Sequence, residues 1–382
     1  MVPRFGSIID RWPCLNSDSE ETLSPTEKRI DEAANDAPAY GYKEEAPEYN
    51  PAFSPSIQGG KWPVLLTTLP LRSLRKLVLM FPLPSVMRMP DQSPVGILTH
   101  LLGHEGPGSS FAALQDAGLL NSLVAGSRIS APDQCLLQID LNLTEEGEEK
   151  WKEVVHIIFE HCRLIADTAI SAKDGKDRGI NNPALDEIHQ CWNEMVKLNY
   201  MHFHETSPSQ AYGFAPSIAK SIATHGTEKC LSAGYLLNED EETLPLNELA
   251  EFSSQLVPSN CIIERCSQSA WDEQKSTKEP ENGLKSDREK FGLQKENWYG
   301  VEFYLSEIDH TDISKWEGNM AESDKVHTMR KLLQLPQPNR FIPRNLELCP
   351  DLPKEATSGP RIEKKIDPPN LIVDDEKFGK MT

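Results

Sequence analysis

The sequence predicts an α+β domain whose sheet is mainly antiparallel, with helices packed on one face of that sheet. Three observations support this prediction. A β-like run spans residues 75–81, two further runs at 122–129 and 135–142 are separated by a short turn, and two long segments carry apolar residues at helical spacing. The chain has 382 residues, which suffices for two domains or for one of about 250 residues with tails.

The first segments show where the folded part begins. Residues 1–58 are rich in Pro, Ser, Glu and Asp and show little periodicity, so we predict a disordered or linker segment there. The globular part is expected to begin near Gly60. Its first predicted strand, at residues 75–81, is closed by Pro82 and Pro84.

A glycine-rich turn between two predicted helices organises the next stretch, residues 95–127. We call residues 104–109, which read HEGPGS, the glycine corner. Its two glycines permit backbone conformations closed to other residues, and its proline cannot continue a helix. Ser109 or Ser110 is a good N-cap for the second helix. We therefore expect a kinked helix pair with exposed backbone N–H groups and with three polar side chains close by: His100, His104 and Glu105.

The remaining elements follow from local signals. Residues 122–129 and 135–142 read as two strands joined at 131–133, and Thr144 is expected to cap a long helix whose apolar stripe is a core face. Later predictions are helices at 183–202, 207–224, 230–237, 246–257 and 322–333, and strands at 260–265 and 299–305. Residues 267–296 are highly charged and are predicted to form a surface loop.

The charge balance and the cysteines restrict the class of partner and the compartment. Acidic residues outnumber basic ones by 59 to 39, which argues against nucleic acid and anionic membrane surfaces as partners. The eight cysteines form no C-x-x-C pair, so we expect a reducing compartment without disulfides. The N-terminal residues lack the apolar core of a signal peptide, and no apolar run approaches the roughly 18 residues that span a bilayer. A cytoplasmic location is expected.

Several strings resemble one peptidase family. LTHLLGHEGPGSS, followed by LLNSLVAG, resembles the second domain of the insulysin branch of the pitrilysin metallopeptidases. Residues 71–84 resemble the opening strand of that domain, and residues 297–300, 340–345 and 354–357 resemble family strings in the same order. The resemblance covers about residues 62 to 382, and several ordered matches make it specific.

The resemblance implies a domain plan and a fold. It implies a pitrilysin/mitochondrial-processing-peptidase-like fold, with residues 60–344 as the second, substrate-anchoring domain and a charged insertion at 267–296. Residues 345–382 would be the truncated start of the middle domain. No clear match exists at residues 1–58, where the relatives carry the end of their catalytic domain.

The family hydrolyses peptides with zinc held by an H-x-x-E-H helix, and this motif is missing here. The nearest candidate, from His156 to His161, has one residue too many. Histidines five residues apart on a helix point about 140° away from each other, so both cannot reach one tetrahedral metal. His156 lies beside the apolar stripe and is interpreted as a partly buried structural histidine. His202 and His204 would face opposite ways on a helix, although they could align on a strand. We predict no catalytic residue, metal ligand or cofactor in this chain, with zinc expected only in the complete family enzyme.

In the insulysin branch, the second domain holds an exosite that anchors the amino terminus of a peptide substrate. The resemblance maps this exosite onto His100, Gly103, Glu105, Leu123 and Ala125. A carboxylate and backbone carbonyls can hold an N-terminal ammonium, and a strand edge at 123–127 can pair with an extended peptide. The relatives have a glycine where this chain has Ala125, so its methyl group either narrows the groove or is harmless. Packing for His100 and capping of the corner for Glu105 are the structural alternatives.

Three hypotheses about function follow. The first is a fragment or divergent member of the insulysin-like peptidases that binds peptide substrates and relies on a zinc-binding catalytic domain or partner subunit elsewhere. The second is a stand-alone peptide-binding protein or an inactive partner subunit, which a native mass near 42.8 kDa would favour. The third, an independent enzyme that uses Cys or His, has no supporting motif and would require an unusually reactive thiol.

Overall fold

Seven strands form a single sheet in the order β3-β4-β2-β5-β1-β7-β6 among the residues that the computed structural model describes. The described residues are 64–84, 93–130, 134–180, 182–207, 210–235, 244–276, 292–321 and 323–342, and all of them lie within one compact unit. The strands are β1 (Val64–Thr68), β2 (Lys76–Pro84), β3 (Leu120–Ser130), β4 (Gln134–Leu143), β5 (Ile262–Cys266), β6 (Gly292–Lys295) and β7 (Glu302–Glu307).

Neighbouring strands of this sheet run antiparallel, with the exception of β1 and β5, which run parallel. The longest ladders join β4 to β2 on one side and to β3 on the other, so β4 is covered on both edges. The predicted α+β fold with a mainly antiparallel sheet is therefore confirmed. The segments predicted at residues 1–58 and 345–382 lie outside the described residues.

The helices among the described residues pack on this sheet and on one another. They are α1 (Pro94–Leu102), α2 (Ser110–Asp116), α3 (Glu145–Glu149), α4 (Trp151–Asp177), α5 (Pro183–Glu205), α6 (Ala211–Lys229), α7 (Leu246–Ser254), α8 (Gln268–Ser276), α9 (His310–Trp316) and α10 (Asp324–Arg330). None of them is both long enough and apolar enough to cross a membrane.

The central helix α4 differs from the sequence prediction in two ways. Thr144 caps only the short α3, accepting a hydrogen bond from the Gly147 N–H at 2.9 Å, and Lys150 leaves helical geometry before α4 begins. Moreover, every residue at 154–162 is buried, whereas the sequence predicted a single apolar stripe. The helix is buried all round here because α5 and α7 pack against it, in addition to Phe81 of β2, whose ring contacts Phe159.

Several later predictions are wrong. Residues 230–235 form turns where a helix was predicted, and α6 extends five residues beyond the predicted end, with a break at Gly226, where φ is +78°. Part of the predicted charged loop at 267–296 is ordered as α8 and β6. Helix α8 forms because the Ser267 Oγ accepts from the Ala270 N–H at 3.1 Å and because Trp271 packs edge-on against Tyr304 of β7. Residues 277–291 lie outside the described residues.

Candidate functional site

The glycine corner connects α1 to α2 as predicted. The Gly103 N–H donates to the Thr99 carbonyl at 2.9 Å, which ends α1, and the Ser109 Oγ accepts from the Ala112 N–H at 3.0 Å, which begins α2. Ser109 is therefore the N-cap. Of the two glycines in the corner, only Gly108 has a positive φ, at +92°. A left-handed backbone is thus required at one of the two positions, because Gly106 adopts a conformation open to other residues.

The corner lies against β3, which is an edge strand among the described residues. A Cβ placed on Gly103 would lie 3.6 Å from the Ala125 Cβ and 3.7 Å from the Ala125 N, so these two predicted site residues are neighbours. The same Cβ would lie 2.9 Å from the Thr99 carbonyl oxygen. A larger residue at position 103 would therefore be tolerated by Ala125 but would crowd the Thr99 carbonyl at the end of α1.

Leu123 plays a different part from the other predicted site residues. Its side chain is only 3% exposed and belongs to the hydrophobic core, whereas the neighbouring Val124 is 63% exposed. Because side chains alternate along a strand, β3 turns Leu123 and Ala125 toward the helices and Val124 away from them. Leu123 can thus meet a ligand only through its backbone, which is the part that pairs with an extended peptide.

The polar side chains at the corner have a shared electrostatic environment. Burial, and then the proximity of His104, lower the pKa of His100, with Glu194 of α5 acting in the opposite direction. Burial also lowers the pKa of His104, against the opposing charges of Glu194 and Glu105. Both imidazoles are therefore mainly neutral at pH 7, whereas the Glu105 and Glu194 carboxylates that act on them are charged. Glu105 itself is exposed.

One segment that the sequence prediction missed lies against the corner. Residues 333–339, here called the covering segment, follow α10 without helix or strand structure. Within it, the Gln334 N–H donates to the Gly108 carbonyl at 2.9 Å, the Leu335 side chain is buried, and the Asn339 N–H donates to Glu194 Oε1 at 2.9 Å. The one sequence signal near this segment was the family string at 340–345, which begins just after it.

The near-motif from His156 to His161 is part of the core. His156, Glu160 and His161 are 5%, 6% and 1% exposed. Burial alone would raise the pKa of Glu160, but hydrogen bonds with His156 and Arg163 hold it below its ordinary value. His161 contacts a different residue, since its Nδ1 lies 3.0 Å from the Ser110 Oγ of α2. Burial lowers the pKa of His161 to about 4, so this imidazole is neutral at pH 7.

These residues do not fit a zinc site. The Glu160 carboxylate is committed to Arg163, with Oε1 2.7 Å from the Arg163 Nη1, and the two histidines contact different partners. In the described part of the chain, no group of three or more His, Cys, Asp or Glu side chains is arranged to hold a metal ion. His202 and His204 are exposed near the end of α5, where they stack on Tyr235 and Tyr200.

The cysteines within the described residues are all free thiols. Burial raises the pKa of Cys162 and of Cys191 to about 12, and it raises the pKa of Cys261 well above its ordinary value. A thiolate nucleophile requires a lowered pKa and access to solvent, so these three thiols oppose the hypothesis of an independent cysteine enzyme.

The likeness to known proteins agrees with this arrangement. A family model described as the peptidase M16 inactive domain matches residues 16–176, and one described as the middle or third domain of peptidase M16 matches residues 202–379. The crystal structure of pitrilysin superposes with a TM-score of 0.55 at 19% identity, covering 74% of this chain and 25% of that chain, which supports the fold.

Among curated relatives, the insulin-degrading enzyme of Drosophila melanogaster is 28% identical over 314 residues, which cover 81% of this chain and 27% of that enzyme. The insulin-degrading enzyme of Homo sapiens is 27% identical over 315 residues, which cover 82% of this chain and 26% of that enzyme. This chain therefore spans about a quarter of the length of these relatives. The matched segments, the fold and these relatives together show that the chain belongs to the peptidase M16 family as an insulysin-like member.

Proposed function

We propose that this chain is the non-catalytic, peptide-anchoring part of an insulysin-like peptidase, and that it holds the amino terminus of peptide substrates at the glycine corner and β3. One observation carries the proposal: Gly103, the residue before the corner, lies next to Ala125 of an edge strand. A ligand at the corner would therefore meet exposed polar groups and the backbone of a strand at the same time.

The edge of β3 suits an extended peptide. Within the described residues, β3 pairs only with β4, so the backbone groups on its outer edge have no strand partner. An added peptide strand can take up such groups through main-chain hydrogen bonds, which are largely independent of the peptide sequence. This mode of binding supports a broad class of extended peptides rather than one substrate.

The negative charge at the corner is complementary to the ammonium group at the amino terminus of such a peptide. Glu105 is exposed and negatively charged at pH 7, and the neighbouring His100 and His104 are neutral because burial lowers their pKa. A carboxylate forms short, charge-assisted hydrogen bonds with an ammonium group, and these bonds are about twice as strong as neutral ones. We therefore assign the ammonium contact to Glu105.

Peptide hydrolysis is proposed only for the larger assembly. The described residues do not fit zinc, so the catalytic metal and its ligands are assigned to another domain or to a partner subunit. In this proposal the chain increases the affinity for peptides and fixes their direction, because a held amino terminus sets which bonds reach a distant catalytic site.

Binding of a peptide with a free or an acetylated amino terminus tests the proposal. The full chain is titrated against a ten-residue peptide that carries a fluorescent label at its carboxyl end, and fluorescence anisotropy is measured at pH 7.5. We expect saturable binding, weakened about tenfold by acetylation, because an acetylated terminus loses the charge-assisted hydrogen bond.

Glu105→Gln is expected to weaken binding of the free-amine peptide about tenfold and to leave the acetylated peptide unchanged. Glu149→Gln is the matched control, because it removes the same charge from an exposed position at the end of α3 and is expected to bind both peptides normally. Equal affinity of the wild-type chain for the two peptides, or no binding of either, would refute the proposed function.

A further inference from the structure

The covering segment is fixed at its beginning and at its end. The Leu335 side chain is 6% exposed and belongs to the hydrophobic core, and the Leu333 side chain packs against that core. At the end of the segment, the Asn339 N–H donates to Glu194 Oε1 of α5 at 2.9 Å. The segment therefore follows a defined path over the protein surface, although it forms neither helix nor strand.

The covering segment contacts the glycine corner at Gly108 in two ways. The Gln334 N–H donates to the Gly108 carbonyl at 2.9 Å. The Gln334 side chain packs on the same glycine, because a Cβ placed on Gly108 would overlap the Gln334 Cγ and would lie 3.0 Å from its Nε2. Gly108 also has a φ of +92°. The lack of a side chain at position 108 therefore serves both the turn and the close approach of the segment.

The hydrogen bond from Gln334 ties the corner to a distant part of the chain. Within the corner itself, the Ser109 N–H donates to the Gly106 carbonyl at 3.2 Å and closes a turn. Glu105, the residue assigned to the peptide ammonium, directly precedes this turn and is exposed. A site that is already held in its binding conformation loses less conformational entropy when a ligand binds. Anchoring of the turn is therefore expected to increase the affinity for an amino terminus.

We infer that the covering segment positions the glycine corner for the peptide amino terminus, and that the Gln334 N–H is the group that fixes the corner. This inference rests on the proposed function and deepens it. It makes recognition of a free amino terminus depend on residues that match the M16 middle domain as well as on residues that match the inactive domain. Gln334 acts through Gly108, so it is a positioning residue and has no assigned contact with the peptide.

Gly108→Ala tests the inference, because the added methyl group overlaps the Gln334 side chain and forces the segment away from the corner. The full-length variant is titrated with the free-amine and the acetylated peptide by the anisotropy measurement described above. We expect about tenfold weaker binding of the free-amine peptide. Binding of the acetylated peptide is expected to be unchanged, because pairing along β3 does not involve the segment.

Gly118→Ala is the matched control for strain in the backbone. Gly118 lies just beyond the other end of α2 and also has a positive φ, at +74°, but a Cβ on this residue would meet nothing within 4 Å. We expect this variant to bind both peptides normally. If Gly108→Ala binds both peptides as Gly118→Ala does, contact with the covering segment does not set the affinity and the inference is overturned.

A second substitution separates the contact with Gln334 from strain at position 108 itself. Gln334→Ala removes the side-chain atoms that the new methyl group would overlap, and it keeps the backbone N–H that bonds to Gly108. The double variant Gly108→Ala, Gln334→Ala is therefore expected to bind the free-amine peptide within about threefold of the wild type. A double variant that binds no better than Gly108→Ala would overturn the inference.

Hydrogen exchange of the wild-type chain tests the same inference without a substitution. Exchange of the Gln334 amide requires its bond to Gly108 to open, so its rate reports on the docking of the segment. A saturating concentration of the free-amine peptide is expected to slow exchange in both the corner and the covering segment. Slowing that is confined to the corner and β3 would contradict the positioning role.

The outcomes separate this inference from the proposed function. If the wild-type chain prefers the free-amine peptide and Gly108→Ala keeps that preference, the positioning role is wrong and the proposed function stands. If Gly108→Ala weakens both peptides equally, the inference is also overturned, since the segment would then support the fold without positioning the corner. Equal binding of the two peptides by the wild-type chain would overturn both proposals.

Discussion

At the scale of single residues, His161 shows how a near-motif becomes a structural element. Its side chain is 1% exposed, its Nδ1 lies 3.0 Å from the Ser110 Oγ, and its Nε2 has no hydrogen-bond partner within the described residues. Ser110 begins α2, so this contact ties the central helix to the second helix of the corner. A histidine in this position stabilises the contact between α4 and α2, provided that its imidazole stays neutral.

This arrangement predicts a pH-dependent stability. Burial lowers the pKa of His161 to about 4, whereas an unfolded histidine titrates near 6.5. The unfolded chain therefore binds a proton first, so the contribution of His161 is complete above pH 6.5 and is lost as the pH falls toward 4. Between pH 6.5 and pH 5 the loss amounts to about 2 kcal/mol. Urea denaturation at pH 7.5 and pH 5 measures it.

The matching variant is His161→Gln, which keeps a polar side chain and does not titrate. Its free energy of unfolding is expected to change less with pH than that of the wild type, by about the same 2 kcal/mol. His202→Gln serves as the control, because His202 is exposed, and it should retain the wild-type pH dependence. An unchanged pH dependence in His161→Gln would contradict the assignment of a neutral buried imidazole.

At the scale of elements, the short helix α3 depends on close approach to the start of β3. Within α3, Gly147 is buried, and a Cβ on this residue would lie 1.9 Å from the Leu119 carbonyl oxygen, which is a backbone atom and cannot rotate away. The hydrogen bond from the Thr144 N–H to the same carbonyl, at 3.2 Å, holds the two elements together. Glycine is thus needed for packing here, not for an unusual backbone angle.

Gly147→Ala is therefore expected to destabilise the protein, although alanine usually stabilises a helix relative to glycine by about 1 kcal/mol. Forcing the Leu119 carbonyl aside costs about 2 kcal/mol, as overpacking does in other cores. Thermal unfolding measures the effect. The control, Gly213→Ala in α6, adds a methyl group where nothing lies within 4 Å, and it should be neutral or stabilising. Equal effects of the two substitutions would show that the close approach of α3 to Leu119 does not matter for stability.

At the scale of the whole molecule, the sheet joins the two family segments. Strands β1 to β4 come from residues that match the M16 inactive domain, and β5 to β7 come from residues that match the middle domain. Both β1 and β2 pair with β5, and β1 also pairs with β7. The order β2-β5-β1 interleaves the two segments, so neither can form its own complete sheet when the chain is divided between α4 and α5.

Whether the chain acts as a peptidase on its own also depends on the whole molecule. We expect the purified chain to show no zinc-dependent turnover of a fluorogenic peptide, because the described residues do not fit the metal and Glu160 is bonded to Arg163. Metal content after dialysis and turnover with and without a chelator measure this. Turnover that a chelator abolishes and that Glu160→Gln removes would contradict the assignment of the near-motif to the core.

Particular residues show how far the sequence could predict the fold and the site. The corner and the helix N-cap at Ser109 could be predicted from the sequence, because each depends on residues only a few positions away. Strand β1 was missed, since its five residues become a strand by pairing with β5 and β7 some two hundred residues later. Glu194 and the covering segment were missed for the same reason, because folding alone brings them to the corner.

By itself, the sequence determined the fold class, the family and the place of the glycine corner, since these follow from local periodicity, turn chemistry and ordered strings. Only the tertiary structure decided which groups meet at that corner. It buried Leu123 and His161, left Val124 exposed and let the charge of Glu194 act on His104. The physical reason is that burial and electrostatic coupling depend on distances between elements. The packing of α4, α5 and α1 against one another sets these distances, and no local sequence pattern records them.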